Sequence, residues 1–247
     1  MKRVLILGAT SSMAGAVARL YAHQGAALYL VGRDVAKLAA TESDVKVRGA
    51  CRVVAVAADL VDTKGHEVII SDAAAALGGL DIALIAHGEL GAQATLQASV
   101  PKTLAIIASN FLSHVSLLTV LGNHFEEQKS GTIAVITSVA GDRGRKSNYV
   151  YGAAKGGLSV FLSGLRNRLA VAGVSVIDIR PGFVDTPMTA SYKKGLLWAK
   201  PDQVAKVIVA AIASGRDVVY VPWFWRWIML VIRSIPEWKF KRMNWPS

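Results

Sequence analysis

The chain has only one cysteine, Cys51, among its 247 residues. A single thiol excludes a disulfide framework and a thiol-based metal site. Charged residues are also scarce, at 18% against 53% hydrophobic residues, which excludes a disordered chain. We therefore expect a reduced, cytoplasmic protein with one hydrophobic core and no bound metal.

Acidic residues are few: 17 Asp and Glu stand against 28 Lys and Arg, which gives a formal net charge of +11. A basic protein attracts nucleic acid, anionic lipid or phosphorylated substrates. No run of Lys and Arg exceeds three residues, and no basic strand is interleaved with aromatic side chains. We therefore expect no nucleic-acid partner.

Short apolar runs alternate with stretches of helical spacing along the chain. The first run ends at Gly8 and is too short for a secretory signal, so it predicts a strand. Strands are predicted at 4–7, 27–31, 52–56, 81–86, 132–137, 175–179 and 218–221, and helices at 14–21, after Asp34, and at 64–77, 101–127, 148–172 and 202–214. Continuous apolar strands are typical of parallel sheets buried on both faces. The pattern predicts an α/β fold, a doubly wound, Rossmann-like parallel sheet with helices on both faces. It occupies one domain at 1–222, and an apolar and basic tail follows at 223–247.

The first strand is followed by a turn of small residues, Gly8 to Ala14, that opens directly into a helix. Such a turn brings backbone N–H groups and the positive end of a helix dipole against a pyrophosphate, although simple turns use the same residues. The second strand ends at Arg33, where NAD-selective sites keep an acid. A guanidinium can pair with a ribose 2′-phosphate, so we favour NADP(H) over NAD(H).

Two side chains that follow the second and third predicted strands have two interpretations each. Arg33 is either a phosphate ligand or a solvated charge, with Asp34 capping the next helix. Asp59, which precedes Leu60, either binds the adenine edge or caps a helix. The sequence leaves both alternatives open.

Tyr151 and Lys155 are four residues apart in a predicted helix, so their side chains share a face. We expect the ammonium to lower the pKa of the phenol, which is otherwise near 10. Ser138 ends a strand thirteen residues earlier, where its hydroxyl can hold the same substrate oxygen. The three predict general-acid catalysis of carbonyl reduction.

From the glycine turn to the segment at 181–186, the chain resembles the short-chain dehydrogenase/reductase family. The resemblance implies that Ser138, Tyr151 and Lys155 are catalytic and that Asn110 supports a water relay to the lysine. It also implies that the turn at 181–186 contacts the nicotinamide and that Thr186 binds phosphate. The expected cofactor contacts are Gly8, Thr10, Ser11, Ser12, Met13, Arg33, Asp59, Leu60, His87, Gly88, Tyr151, Lys155, Pro181, Gly182, Val184 and Thr186.

The sequence departs from the family pattern in two places. Ser12 and Ala14 stand where the family has glycine, and the Cβ of Ser12 crowds the approach to the pyrophosphate. His87 lies where paired asparagines are common, so it falls near the cofactor ribose. A structural hydrogen bond is the alternative interpretation of this histidine.

The tail concentrates aromatic and basic residues. Five of the six tryptophans fall in the last 25 residues: Trp223, Trp225, Trp227, Trp238 and Trp245. Arg226, Arg233, Lys239, Lys241 and Arg242 accompany them against one acid, Glu237. This composition predicts a helix lying in a membrane interface, on the cytoplasmic side. A dimer contact or a roof over the substrate pocket is the alternative.

Residues 138–155, with Arg143, Arg145 and Lys146, and the tail at 221–243 are similar to family members that reduce a keto sugar on a polyprenyl phosphate. Such enzymes act with a flavin oxidase in a two-step epimerisation. We therefore expect a membrane-peripheral, homo-oligomeric reductase of a lipid-linked or small carbonyl substrate. The alternatives are a soluble ketoreductase of a small or acyl substrate, and a cofactor-binding scaffold without turnover.

Overall fold

A sheet of seven parallel strands forms the centre of the protein in the computed structural model, which describes residues 1–190 and 192–243. Residues 244–247 of the predicted tail, including Trp245, lie outside the described residues, as does Ser191. The strands are β1 Arg3–Leu7, β2 Ala27–Gly32, β3 Arg52–Ala57, β4 Ile82–Ile85, β5 Gly131–Ile136, β6 Val174–Pro181 and β7 Val218–Val221. Their order is β3-β2-β1-β4-β5-β6-β7, which confirms the predicted doubly wound fold.

Helices cover both faces of the sheet. One face carries α1 Ser12–His23, α2 Val35–Val47 and α8 Pro201–Ala213; the other carries α3 His66–Leu77, α6 Ser113–Gln128 and α7 Tyr149–Ala170. The remaining helices are α4 Gln93–Gln97, α5 Val100–Ile107, α9 Trp225–Ser234 and α10 Glu237–Phe240. Val4 and Ile6 pack on the first face and Leu5 and Leu7 on the second, and all four are fully buried. Burial on both sides explains why the strands are continuous apolar runs.

The helix predicted at 101–127 is interrupted. α5 passes into a π-helical turn, Ala108–Leu112, before α6 continues to Gln128. The whole stretch, Val100–Gln128, is long and apolar enough to cross a membrane by length and composition. Its buried side, with Leu117 and Phe125, instead packs on the sheet as a core helix does.

The tail folds back onto the carboxyl edge of the sheet. α9 buries Trp225, Met229 and Ile232 in a small apolar cluster with Phe240 and Val139. Nη1 of Arg143 donates to the carbonyl oxygens of residues 232 and 235, both at 2.6 Å, and Nη2 donates to the carboxylate of residue 237 at 2.8 Å. The loop after β5 therefore fixes the tail in place.

The opposite side of α9 is apolar and exposed. We call it the outer face of α9; it consists of Trp223, just before the helix, with Trp227, Leu230 and Val231. Arg226 and Arg233 flank it and are also exposed. The helix is thus apolar on two opposite sides, of which only the inner one is covered by the described residues.

Candidate active site

The carboxyl ends of β1, β4, β5 and β6 meet at one cleft of roughly 1040 Å³, open solvent included. Strand order reverses between β1 and β4, so this is where a doubly wound sheet binds its ligands. The cleft is lined by these predicted site residues: Met13, His87, Gly88, Asn110, Ser138, Tyr151, Lys155, Pro181, Gly182, Val184 and Thr186. The predicted contacts Gly8, Thr10, Ser11, Ser12, Arg33, Asp59 and Leu60 do not line it.

Close packing of a loop against α7 brings the three predicted catalytic side chains together. The turn after β5 lies so near α7 that a Cβ on Gly141 would come within 2.7 Å of the backbone nitrogen of Gly156. Ser138 at the start of this turn thereby lies near enough to Tyr151 for a side-chain hydrogen bond to act on the pKa of the phenol. Lys155 Nζ donates to the carbonyl of Ile136 at 3.2 Å and lies 5.9 Å from the centre of the Tyr151 ring.

Burial controls the protonation of both groups on α7. It raises the pKa of the Tyr151 phenol to about 12, and the hydrogen bond with Ser138 opposes that shift. The pKa of the phenol is therefore raised, whereas the sequence predicted a lowered one. Burial also lowers the pKa of Lys155 to about 8, while the charge of Asp178 raises it. A phenol that keeps its proton at neutral pH suits a general acid.

A network of buried charges that the sequence did not predict lies behind Lys155. Asp178 in β6 accepts hydrogen bonds from Thr137 Oγ1 at 2.5 Å and from Arg180 Nε at 2.8 Å. Arg180 Nη1 also donates to Asp142 at 2.8 Å. Two carboxylates thus offset the charges of Arg180 and Lys155. The sequence signal for this network is Asp178, an acid inside the apolar run of β6.

We expect kcat/KM for carbonyl reduction to fall above about pH 8. Burial favours the neutral amine of Lys155, so its pKa of about 8 marks the pH above which the ammonium is lost. Tyr151 titrates higher, and His87, whose pKa is lowered to about 3 by burial and by Lys155, is neutral throughout.

Asp178→Asn should move this alkaline limb to lower pH, because Asp178 raises the Lys155 pKa. The pH profile of kcat/KM from initial rates measures the shift. The surface variant Asp202→Asn is the control and should keep the wild-type limb. An unmoved limb in Asp178→Asn would contradict this account of Lys155.

Asn110 lies in the π-helical turn and holds the loop after β4. Its Nδ2 donates to the carbonyl of Glu89 at 2.8 Å, and its Oδ1 accepts from the Glu89 backbone N–H at 3.2 Å. A Cβ built on Gly88 would lie 3.5 Å from Lys155 Nζ, so this loop also borders Lys155. π-helical turns often occur at functional sites, and this one explains how Asn110 reaches the cleft.

His87 makes structural contacts as well as lining the cleft. Its ring stacks on buried His114 at 4.1 Å between centroids, and its Nε2 lies 2.9 Å from Ser113 Oγ. These contacts agree with the structural interpretation of this histidine.

The turn after β1 can hold a pyrophosphate. Gly8 has a φ of +88°, and a Cβ there would lie 2.6 Å from the backbone nitrogen of His87, so glycine is required. Ser11 caps α1 by accepting from the N–H of Ala14 at 3.2 Å, and Ser12 is the first residue of the helix. Thr10 packs on Gly32. Helix α1 thus begins directly after a turn that requires glycine, and its first-turn N–H groups without an intrahelical acceptor can bind phosphate, which fits a dinucleotide.

The residues at the adenosine end take part in local contacts. Arg33 is 63% exposed and pairs with Glu89 at 2.7 Å; it lines a cavity that adjoins the cleft at Gly88. Asp34 caps α2, and Asp59 accepts from the N–H of Val61 at 3.0 Å. Leu60 is buried and its carbonyl accepts from His66 Nε2 at 3.1 Å. Within 1–190 and 192–243, no three His, Cys, Asp or Glu side chains are grouped to hold a metal ion.

The sequence profile of the family described as short chain dehydrogenase matches residues 2–196. An uncharacterised oxidoreductase of Mycobacterium tuberculosis strain H37Rv is 35% identical over 240 residues, which cover 97% of this chain and 96% of that protein. The chain therefore belongs to the short-chain dehydrogenase/reductase family, and it is an oxidoreductase.

Solved structures share the fold. A crystal structure assigned to a short-chain alcohol dehydrogenase of Sinorhizobium meliloti has a TM-score of 0.82 at 23% identity and covers 91% of this chain and 96% of that one. Levodione reductase has a TM-score of 0.81 at 22% identity, with coverage of 90% and 96%. The family uses NAD(P)(H), which agrees with the turn after β1, where Gly8 is required.

Proposed function

We propose that this enzyme uses NADP(H) to reduce the carbonyl of a keto sugar carried on a polyprenyl phosphate at a membrane surface. The observation that carries the proposal is the position of α9. Its inner face borders the cleft through Trp225, and its outer face is apolar, exposed and flanked by arginines. A polar head group in the cleft and an apolar chain in the bilayer would fit these two faces.

The catalytic side chains divide the chemistry of reduction among them. Bound NADPH supplies the hydride. Ser138 holds the carbonyl oxygen, and Tyr151 donates a proton to it through the hydroxyl that Ser138 contacts. The ammonium of Lys155 stabilises the phenolate left behind, and Asp178 keeps that ammonium charged. Asn110 holds the loop that borders Lys155.

One arginine of the basic loop before Tyr151 favours a phosphorylated substrate. Arg143 is engaged by the tail, whereas Arg145 lines the cleft. This loop and the tail resemble those of decaprenylphosphoryl-2-keto-erythro-pentose reductase. By that resemblance the enzyme completes an epimerisation in which a flavin oxidase makes the ketone, and it acts as a homo-oligomer.

Incubation with NADPH or NADH and a panel of ketones tests the proposal. The panel includes a polyprenyl-phosphoryl keto pentose, the same keto pentose without lipid, and simple cyclic ketones. We expect loss of reduced nicotinamide absorbance, fastest with the lipid-linked sugar. Faster reduction of a water-soluble ketone than of the lipid-linked sugar would overturn the substrate assignment.

The outer face of α9 should bind anionic membranes. Burial of an aromatic or aliphatic side chain contributes about 1.5–3 kcal/mol, so Trp227→Ser with Val231→Ser should weaken vesicle binding at least 10-fold. Co-sedimentation with vesicles of equal parts phosphatidylglycerol and phosphatidylcholine measures this. Val160→Ser, an exposed apolar position on α7, is the control. A wild-type chain that stays in the supernatant would refute peripheral membrane binding.

Arg33 should set the preference for NADPH. A hydrogen bond to a charged group contributes about 1.5–3 kcal/mol, so Arg33→Ala should lower the NADPH-to-NADH ratio of kcat/KM roughly 10- to 150-fold. Glu89→Gln frees Arg33 from its ion pair and should keep or increase the preference. If the ratio is equal in wild type and Arg33→Ala, Arg33 is a surface charge.

A second candidate is a soluble ketoreductase in which the tail is a lid or a dimer contact. The burial of Trp225 beside the cleft and the anchoring of the tail by Arg143 favour it. Light scattering separates the two: substitution of the outer face should turn a dimer into a monomer only if that face is a subunit contact.

A further inference from the structure

The wall of the cleft carries three buried polar atoms that have no hydrogen-bond partner among the described residues. They are Trp225 Nε1, Arg145 Nε and Asn148 Oδ1, and Ser138 and Tyr151 line the same cleft. Unpaired polar atoms are costly to bury, so native proteins keep few of them. Two donors and one acceptor together match an oxygen-bearing group of a ligand.

Trp225 reaches this wall from the first turn of α9. It is 3% exposed, and its indole lies directly over Gly182, where the Cβ of any other residue would overlap the ring. Phe183 makes an edge contact with it at 5.3 Å, and Val139 packs in the same cluster. The ring is therefore held between the turns that follow β5 and β6, and both turns line the cleft.

Arg145 brings a positive charge that no carboxylate on this wall neutralises directly. Asp142 is near enough to raise the pKa of Arg145, but burial outweighs it and lowers that pKa. The two carboxylate oxygens of Asp142 accept instead from Arg180 and from Tyr220, each at 2.8 Å. A partly buried guanidinium in this situation favours an anionic or strongly accepting partner.

We propose that Trp225 and Arg145 form a substrate subsite that binds an oxygen substituent, a hydroxyl or a phosphate, next to the reacting carbonyl. The inference rests on the proposed carbonyl reduction and names the residues that select its substrate. Trp225 donates to a neutral or charged oxygen, and Arg145 adds affinity for a phosphate. The C-terminal helix is then part of the specificity pocket.

Three matched ketones test the subsite: butanone, 1-hydroxybutanone and 1-hydroxybutanone phosphate, each reduced with NADPH. Trp225→Phe keeps an aromatic ring and removes the N–H. It should lower kcat/KM for the two oxygenated ketones roughly 5- to 10-fold and leave butanone within about 2-fold. Arg145→Met should lower kcat/KM for the phosphate ester roughly 10- to 150-fold, with a smaller loss for the hydroxyketone. Trp238→Phe, exposed on α10, is the matched control and should change none of the three.

Equal losses of kcat/KM for all three ketones in Trp225→Phe would show a packing role and overturn the inference. Unchanged kcat/KM for all three ketones would overturn it as well. A higher dissociation constant for NADPH in Trp225→Phe would show that the indole N–H binds the nicotinamide carboxamide instead. If the wild-type enzyme reduces no ketone, the proposed function fails. Calorimetric binding of the phosphate ester to the NADP⁺ complex then decides the subsite alone: equal affinity in wild type and Arg145→Met, or no binding, overturns it.

Discussion

Tyr151→Phe should lower kcat/KM for carbonyl reduction by about 10²- to 10⁴-fold, the range for loss of a positioned general acid. The substitution keeps the ring that packs beside Lys155 and removes only the hydroxyl that contacts Ser138. Because the fold and the turn after β1 are untouched, the dissociation constant for NADPH should change less than about 3-fold. Stopped-flow measurement of hydride transfer and fluorescence titration with NADPH check the two halves of this prediction.

Tyr149→Phe is the matched control, since Tyr149 begins the same helix and is exposed. It should retain wild-type rates. Reduction by Tyr151→Phe at the wild-type rate would mean that the substrate oxygen receives its proton from another group. If the wild type and Tyr151→Phe both bind NADPH but reduce no carbonyl compound, the protein would instead be a cofactor-binding scaffold without turnover.

Gly8→Ala should destabilise the protein by about 3 kcal/mol. An L-residue in the left-handed region costs roughly 1–2 kcal/mol, and the new Cβ would press on the backbone nitrogen of His87. For a domain of this size the melting temperature should fall by roughly 6–12 °C. NADPH should also bind more weakly, because the turn that faces the first N–H groups of α1 would have to open.

Gly15→Ala provides the comparison within the same segment. Gly15 lies inside α1, and a Cβ there would have no neighbour closer than 3.8 Å. Alanine favours helix by up to about 1 kcal/mol over glycine, so this variant should melt at or above the wild-type temperature. Equal melting temperatures for Gly8→Ala and wild type would refute the requirement for glycine at the turn.

The architecture could be predicted because its pattern is local. Continuous apolar strands separated by helical stretches indicate a parallel sheet wherever they occur, and the spacing of Tyr151 and Lys155 places both on one helical face. The π-helical turn at Asn110 could not be predicted, since it inserts one residue into a stretch whose periodicity remains helical.

The electrostatics of the site depend on burial, which the sequence does not show. The spacing of Tyr151 and Lys155 indicated a lowered phenol pKa, yet burial raises the pKa of Tyr151 and lowers that of Lys155. Likewise, Arg143 and Arg145 are equivalent in a basic loop, but one binds the tail backbone and the other lines the cleft. Contacts between segments that are distant in sequence determine which arginine binds the tail and which lines the cleft.

The anchoring of the tail has a consequence for how membrane attachment can be studied. A protein cut before Trp223 would lose the ring over Gly182 together with the outer face, so one truncation would alter turnover and vesicle affinity at once. Substitutions confined to the outer face of α9 leave the indole in position. With such substitutions, vesicle affinity can be changed without changing substrate turnover.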